Sequence, residues 1–337
     1  MVEANPVLVE TRRDAWVENR HRGAIAVVDA DGRLIAAVGD IERAVFPRSS
    51  IKAMQALAIF ETGAIDRFGI SDEELALACA SHHGEDAHVT RIAAFLDRLG
   101  LSETALECGA HQPSNAAARQ KLRAEGREPG PLHNNCSGKH AGMLSAARAL
   151  GLDPTGYVER EHGVQLAVRR AIEAVIGETL DLGRCGTDGC SIPTYAAPLR
   201  AFAQGFARMA TGTGLSPVQA AGAKTLFDAA TRHPHLVAGT GHPDTLLMTA
   251  FGGRLMQKGG AEGVQCGALR DKGWGYAIKC DDGNMAASHA MLAATLLAIA
   301  DPDAKQRAEL EALATQTLRN VRGRAVGAMK AVEPFPV

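Results

Sequence analysis

Three observations predict an α+β fold in which an antiparallel sheet from N- and C-terminal strands is covered by helices, with a large helical insertion between the two strand groups. The first is a pair of apolar runs, 24–29 (AIAVVD) and 33–38 (RLIAAV), flanking Asp31-Gly32, which is a hairpin signal. The second is a series of short apolar runs after residue 245: LLMTAF, RLMQK behind Gly252-Gly253, GVQCGAL and WGYAIKC. The third is the region between, where 86–99, 114–125, 138–150, 163–176, 199–210 and 217–231 carry helical periodicity and Gly100, Gly126, Gly151 and Gly177 punctuate it. Hairpins at both ends would join in one sheet, and the apolar segment 284–300 supplies a helix after the last strand. The chain of 337 residues is thus expected to form one unit, with a sheet-plus-helix part (1–83 and 245–337) and a mostly helical part (84–244).

Two further elements follow from local chemistry. After Pro47 the run SSIKAMQALAIFETG reads as a helix ending at Gly63, which tolerates the left-handed C-terminal conformation. Ser71 with Glu74 three residues on forms a capping box for a helix over 72–80, which runs into the loop SHHGED.

Composition narrows the function. Hydrophobic residues at 46% and charged residues at 22% describe an ordinary globular protein. A net charge of −2 provides no basic field to recruit nucleic acid or anionic lipid. No apolar run approaches the roughly 20 residues of a membrane span, and the charged start MVEANPVLVETRRDAW lacks the apolar core of a secretory signal, so a cytoplasmic location is expected. Seven scattered cysteines, an odd number, point to reduced thiols or metal ligands rather than a disulfide framework.

The chemistry concentrates in four places. Ser49-Ser50-Ile51-Lys52 opens a helix, and a spacing of three puts Ser49 and Lys52 on one face, Cβ atoms about 5–6 Å apart. Free N–H groups at a helix start favour a developing oxyanion, and a lysine becomes a base when burial or a second cation depresses its pKa. An N-cap serine followed by a solvated lysine is the plain alternative. Lys258-Gly259-Gly260 ends an expected strand, and serine β-lactamases and penicillin-binding proteins combine an S-x-x-K helix start with a K-T-G strand. Here the hydroxyl residue of that strand motif is missing, and an edge-strand lysine is the competing reading. Ser81, in CASHHGED, is the candidate second hydroxyl, or else a polar turn residue. His82, His83 and His88 beside it read as surface or packing residues.

The loops HNNCSGKH (133–140) and GTDGCSIP (186–193) are polar, glycine-bearing and rich in ligand-type groups. Thiolates favour zinc, yet Cys-x-x-Lys is not a standard zinc spacing; Cys136 with His133 or His140 would be the conventional pairing. Asp188 in GTDG suits an ammonium group, or the segment is simply a tight turn.

Together, PRSSIK (47–52), CASHHGEDAH (79–88), ECGAH (107–111), NNCSGKHAGML (134–144), GTDGCSIPT (186–194) and LMQKGGAEG (255–263) resemble the bacterial asparaginases of the Rhizobium etli type, the L-asparaginase II family. The resemblance runs in order from about residue 15 to 325. It implies a β-lactamase/glutaminase-like fold and hydrolysis of the L-asparagine side-chain amide through a β-aspartyl-enzyme. It also implies two Ser–Lys pairs, Ser49 with Lys52 and Ser81 with Lys258; a double displacement on these pairs is expected to use Lys52 as the neutral base and Lys258 as the charged partner that keeps it so. Arg48 occupies the family's arginine position beside the nucleophile and is implied to bind substrate; Asp188, placed by the resemblance beside the zinc site, is the candidate substrate-binding carboxylate on its chemistry. Cys136, Lys139 and Cys190 match a zinc site, whose metal is expected to orient groups rather than generate hydroxide. A homodimer with a small-molecule amino-acid substrate is implied. A glutaminase or another β-lactamase-like serine amidohydrolase is the alternative, and a non-enzymatic amino-acid sensor the rival from another class.

Overall fold

A computed structural model describes residues 4–332 and 335. Eight strands form the main sheet: β1 (Val7–Arg13), β2 (Trp16–Asp29), β3 (Leu34–Val38), β4 (Leu255–Gly260), β5 (Val264–Leu269), β6 (Trp274–Cys280), β7 (Thr315–Arg319) and β8 (Ala325–Ala331). Their order is β7-β8-β1-β2-β6-β5-β4, with β3 also paired to β2. Every pairing in this sheet is antiparallel. The two strand groups meet where β2 pairs β6, Gly23 opposite Cys280 and Ile25 opposite Ile278.

Strand β2 shows why both sheet faces are covered. Side chains alternate along a strand, and here both sets are apolar. Ile25 and Val27 pack into a core with Leu292 and Leu296 of the helix Met285–Ile299. Ala24, Ala26 and Val28 join the larger core that includes Phe202 and Phe206 of the helix Leu199–Thr211. That second helix lies directly on β6: a Cβ at Gly275 would sit 2.0 Å from the Ala203 carbonyl oxygen, so only glycine fits there.

The insertion is helical as expected, with Asp86–Arg98, Ala116–Ala124, Ser137–Leu150, Gly163–Ile176, Leu199–Thr211 and Pro217–Arg232 all present. The capping box of Ser71 and Glu74 opens the helix Asp72–Ala78. Three expectations change. LLMTAF is not a strand but lies in the helix Pro243–Phe251, because His242 caps the Asp244 N–H and Pro243 occupies the first helical position. Strand β2 begins well before residue 24, at Trp16. The sheet also extends through β1, β7 and β8, with a further helix Ala304–Ala314 before β7. Among the described residues no helix is long and apolar enough to cross a membrane.

Candidate active site

Ser49 sits in a 3₁₀ turn, Arg48–Ile51, that runs into the short helix Lys52–Ala56. The turn is tightly held. Arg48 has φ of 53°, a left-handed conformation that costs a non-glycine residue about 1–2 kcal/mol, and such conformations cluster at functional sites. Strand β4 presses against the same turn. A Cβ on Gly260 would lie 2.7 Å from Pro47 O and 2.9 Å from Ser50 N, both backbone atoms. The final glycine of Lys-Gly-Gly is therefore a steric requirement of bringing the strand against the Arg48–Ile51 turn. At Gly259, a Cβ would lie 3.1 Å from Gln265 Oε1, which crowds the position where related motifs carry a hydroxyl residue.

Lys52 is fully buried. Its Nζ donates to the Ala80 carbonyl at 2.5 Å, Ser81 Oγ at 3.0 Å and Cys136 Sγ at 3.1 Å. Ser81 is fixed because its N–H donates to Val237 O at 2.8 Å. The expected pairing thus appears in altered form: Lys52 reaches Ser81, and no hydrogen bond joins it to Ser49 among the described residues. Ser49 itself is half-buried. The second amine, Lys258 Nζ, is 1% exposed and donates to Gly259 O at 2.6 Å. Burial pulls its pKa down to about 8; the Asp244 carboxylate opposes that pull and the charge of Lys52 adds to it. Lys258 is thus drawn toward neutrality, whereas the mechanism expected from the sequence gives it the positive charge.

Behind Lys258 lies a buried polar network that sequence reasoning missed. Asp244 is completely buried. Its carboxylate accepts the Gly259 N–H at 2.8 Å and the Gln257 side-chain amide at 3.2 Å, and lies 4.0 Å from Lys258 Nζ. Gln257 Nε2 also donates to Gln265 Oε1, Tyr276 OH donates to Gln257 Oε1, and Gln265 Nε2 donates to Ser288 Oγ. Although burial works against its charge, His242, Lys258 and the Gly259 N–H hold the Asp244 carboxyl below its ordinary pKa. The signal was present as His242-Pro243-Asp244, a helix-start pattern obscured by reading the following apolar run as a strand.

The two cysteine loops converge beside Lys52. Cys136, Lys139 and Cys190 are all buried, and Lys139 Nζ donates to Cys190 Sγ at 2.9 Å. Cys136 is held well below the usual thiol range, first by its hydrogen bond with Cys190 and then, against burial, by Lys52 and Lys139. The same bond and burial push Cys190 up. Burial opposes the charge on Lys139, but Cys136 and Cys190 outweigh it and raise the pKa. Two thiols and an amine gathered around one point fit a thiophilic cation such as zinc, on condition that Lys139 surrenders its proton.

Arg48 and Asp188 meet as well: Arg48 Nε donates to Asp188 Oδ1 at 2.8 Å. Arg48 also lines a cavity of about 270 Å³ with Phe46, Gly186, Thr187, Glu262 and Lys279. Burial raises the Asp188 pKa, but Lys139 and Arg48 overcome it and keep the carboxylate ionised. The histidines of SHHGED behave as packing groups. His82 Nδ1 accepts the Gly84 N–H, leaving Nε2 to donate to Ser137 Oγ at 2.9 Å, and burial keeps the ring neutral.

The L-asparaginase II family matches residues 9–331. No curated protein matches the chain. Among solved structures, the chain is similar to the protein called Mglu at 16% identity, covering 79% of this chain and 64% of that one with a TM-score of 0.44. It is also similar to a β-lactamase from Mycobacterium bovis at 15% identity, covering 78% and 88% with a TM-score of 0.39. A simvastatin synthase from Aspergillus terreus is 12% identical, with 77% and 86% covered and a TM-score of 0.39. The chain thus spans a little under two thirds of the length of Mglu.

Proposed function

Because the chain belongs to the L-asparaginase II family, an amidohydrolase family, we propose that it hydrolyses the side-chain amide of L-asparagine to L-aspartate and ammonia by a double displacement on serine. Ser49 Oγ attacks the amide carbon, and its proton passes by way of Ser81 and Lys52 toward the buried amine pair. The relay returns that proton to the amide nitrogen, ammonia leaves as the β-aspartyl ester forms, and water, giving its proton to the same relay, then cleaves the ester to release aspartate and restore the serine. Lys258, with its pKa depressed to about 8, is the amine best suited to end the relay as proton acceptor. This differs from a relay in which Lys52 alone is neutral.

The observation that carries this reading is the family match over residues 9–331, supported by the buried amines Lys52 and Lys258 and the Lys52–Ser81 hydrogen bond of 3.0 Å, one helical turn from Ser49. Arg48 and Asp188 offer one positive and one negative group, the complement of an amino acid's carboxylate and ammonium ends. Cys136, Lys139 and Cys190 would hold the zinc, which when bound would fix the two loops and polarise their surroundings. Through the Lys52–Cys136 contact the loop geometry then reaches the relay. A homodimer is part of the same reading, and sedimentation equilibrium tests it.

The decisive assay is ammonia release by the purified protein from L-asparagine, L-glutamine and a penicillin. The reading expects asparagine to be the preferred substrate, and a clear preference for glutamine or the β-lactam would replace it. A second reading makes Ser81 the nucleophile, favoured by its direct bond to Lys52. Acid-quenched turnover analysed by mass spectrometry separates the two: an aspartyl adduct on the Ser49 peptide supports the first, and an adduct on the Ser81 peptide the second. Ser49→Ala is expected to lose at least about a thousandfold in kcat.

A further inference from the structure

On the far side of β2 from its hairpin, three unlike donors converge. His21 Nδ1 lies 2.6 Å from Asp282 Oδ2, and Cys280 Sγ lies 3.0 Å from Asp282 Oδ1. One ligand atom from each of the three residues falls within 4.8 Å of the others. We propose that His21, Cys280 and Asp282 form a second metal site, selective for a borderline divalent cation, with zinc the best match.

The chemistry of the set supports this assignment. One imidazole, one thiol and one carboxylate are the donor types zinc accepts together, and three protein ligands leave a fourth position for water. The imidazole is oriented from behind: its Nε2 pairs with the buried Thr11 hydroxyl at 3.3 Å, so an Nε2–H donated there leaves the Nδ1 lone pair aimed at the site. The register of the sheet brings the donors together. Gly23 of β2 faces Cys280 of β6, so His21, two residues earlier, emerges beside the turn Asp281-Asp282-Gly283 that follows β6. His21 and Cys280 are buried while the Asp282 side chain is 46% exposed, which provides an entry path; metal binding asks the carboxylate, whose Oδ1 also accepts the Asn284 N–H at 3.0 Å, to adjust.

That adjustment is small. Donor atoms around a tetrahedral zinc, with bonds of about 2.0 Å to nitrogen or oxygen and 2.3 Å to sulfur, are separated by roughly 3.3–3.5 Å. The contacts of 2.6 and 3.0 Å are made by different oxygens of Asp282, so one oxygen would take the ligand position while the three donors, now within 4.8 Å of one another, settle to those separations. Binding would release the thiol proton and tie two segments 261 residues apart in sequence.

The test uses the full-length protein stripped of metal by chelation and titrated with Zn²⁺ against a chromophoric chelator, and separately with Co²⁺. Compared with Cys280→Ser, the unmutated chain is expected to bind one more equivalent of Zn²⁺. The Co²⁺ difference spectrum between them is expected to carry a thiolate-to-cobalt charge-transfer band. Asp282→Asn, an exposed change that keeps the thiol, is expected to weaken this equivalent at least tenfold and covers the case in which Cys280→Ser folds poorly. Equal stoichiometry in all three proteins, or no difference band, would overturn the proposal and leave the trio a hydrogen-bonded cluster only. The readout is separate from the Cys136, Lys139 and Cys190 loops, which every variant retains.

Discussion

Asp244 accepts the Gly259 N–H while its charge lies 4.0 Å from Lys258 Nζ, so one buried carboxylate both orients the strand bearing that lysine and tunes its amine. Asp244 raises the Lys258 pKa against the larger effect of burial, which pulls it down to about 8. If neutral Lys258 is the proton acceptor, kcat/KM should rise with pH through about 8. Asp244→Asn keeps an acceptor for the Gly259 N–H but removes the charge, so the rising limb should move to lower pH. A variant that merely disturbed packing would lower the rate at all pH values and leave the limb where it was. At this scale the sequence named residue types more readily than their pairing. Ser49, Lys52, Ser81 and Lys258 were legible as types at motif spacing. Spacing locates Cβ atoms, however, and the four-carbon stem of Lys52 carries its amine past Ser49 to the Ala80 carbonyl and Ser81.

The contact of β4 with the turn Arg48–Ile51 is set by backbone, not side chains. Gly260→Ala would place a methyl 2.7 Å from Pro47 O, and neither strand nor turn has a flexible side chain to yield. Overpacking of this kind costs about 1–3 kcal/mol. The expected outcome is a measurable fall in Tm, with a drop in kcat of about tenfold or more if Ser49 is the nucleophile, as the Arg48–Ile51 turn is pushed aside. Gly259→Ala, whose nearest contacts are side-chain oxygens of Gln265 and Asp244, should be the milder of the two. Elements with strong local signals were readable: the capping box at Ser71, the glycine stop at Gly63 (φ 71°), and the short, almost wholly buried runs of β5 and β6. Strands β1, β7 and β8 were not, because VLVETRR and TQTLR carry exposed polar and charged residues along their length and offer little apolar run to detect. LLMTAF failed for the opposite reason: a short apolar run is equally compatible with a buried helix, and its Pro243 start decided the matter.

Across the whole molecule, buried neutral histidines set the acid limit of stability. Burial lowers His88 and His242 to about 4, and His82 and His140 well below their ordinary value of 6.5. In the unfolded chain these rings take up protons near pH 6.5, and in the folded one they do not until about 4. The unfolded state therefore binds more protons in that window, and stability falls as pH drops through it. Tm measured from pH 7 to pH 4 should decline accordingly, and His88→Gln should flatten the slope. Lys258 acts on the alkaline side in the same sense: between about 8 and its ordinary 10.5 the unfolded chain holds the extra proton, so its contribution to stability increases with pH. The junction of β2 with β6 carries a further consequence, since Ile25 waits for Ile278. During synthesis the ribosome must deliver some 250 residues before the first hairpin meets its neighbour, by which time the intervening helices have already emerged. The helical half can consolidate first, leaving the amine-bearing strand β4 to dock onto helices that are already formed.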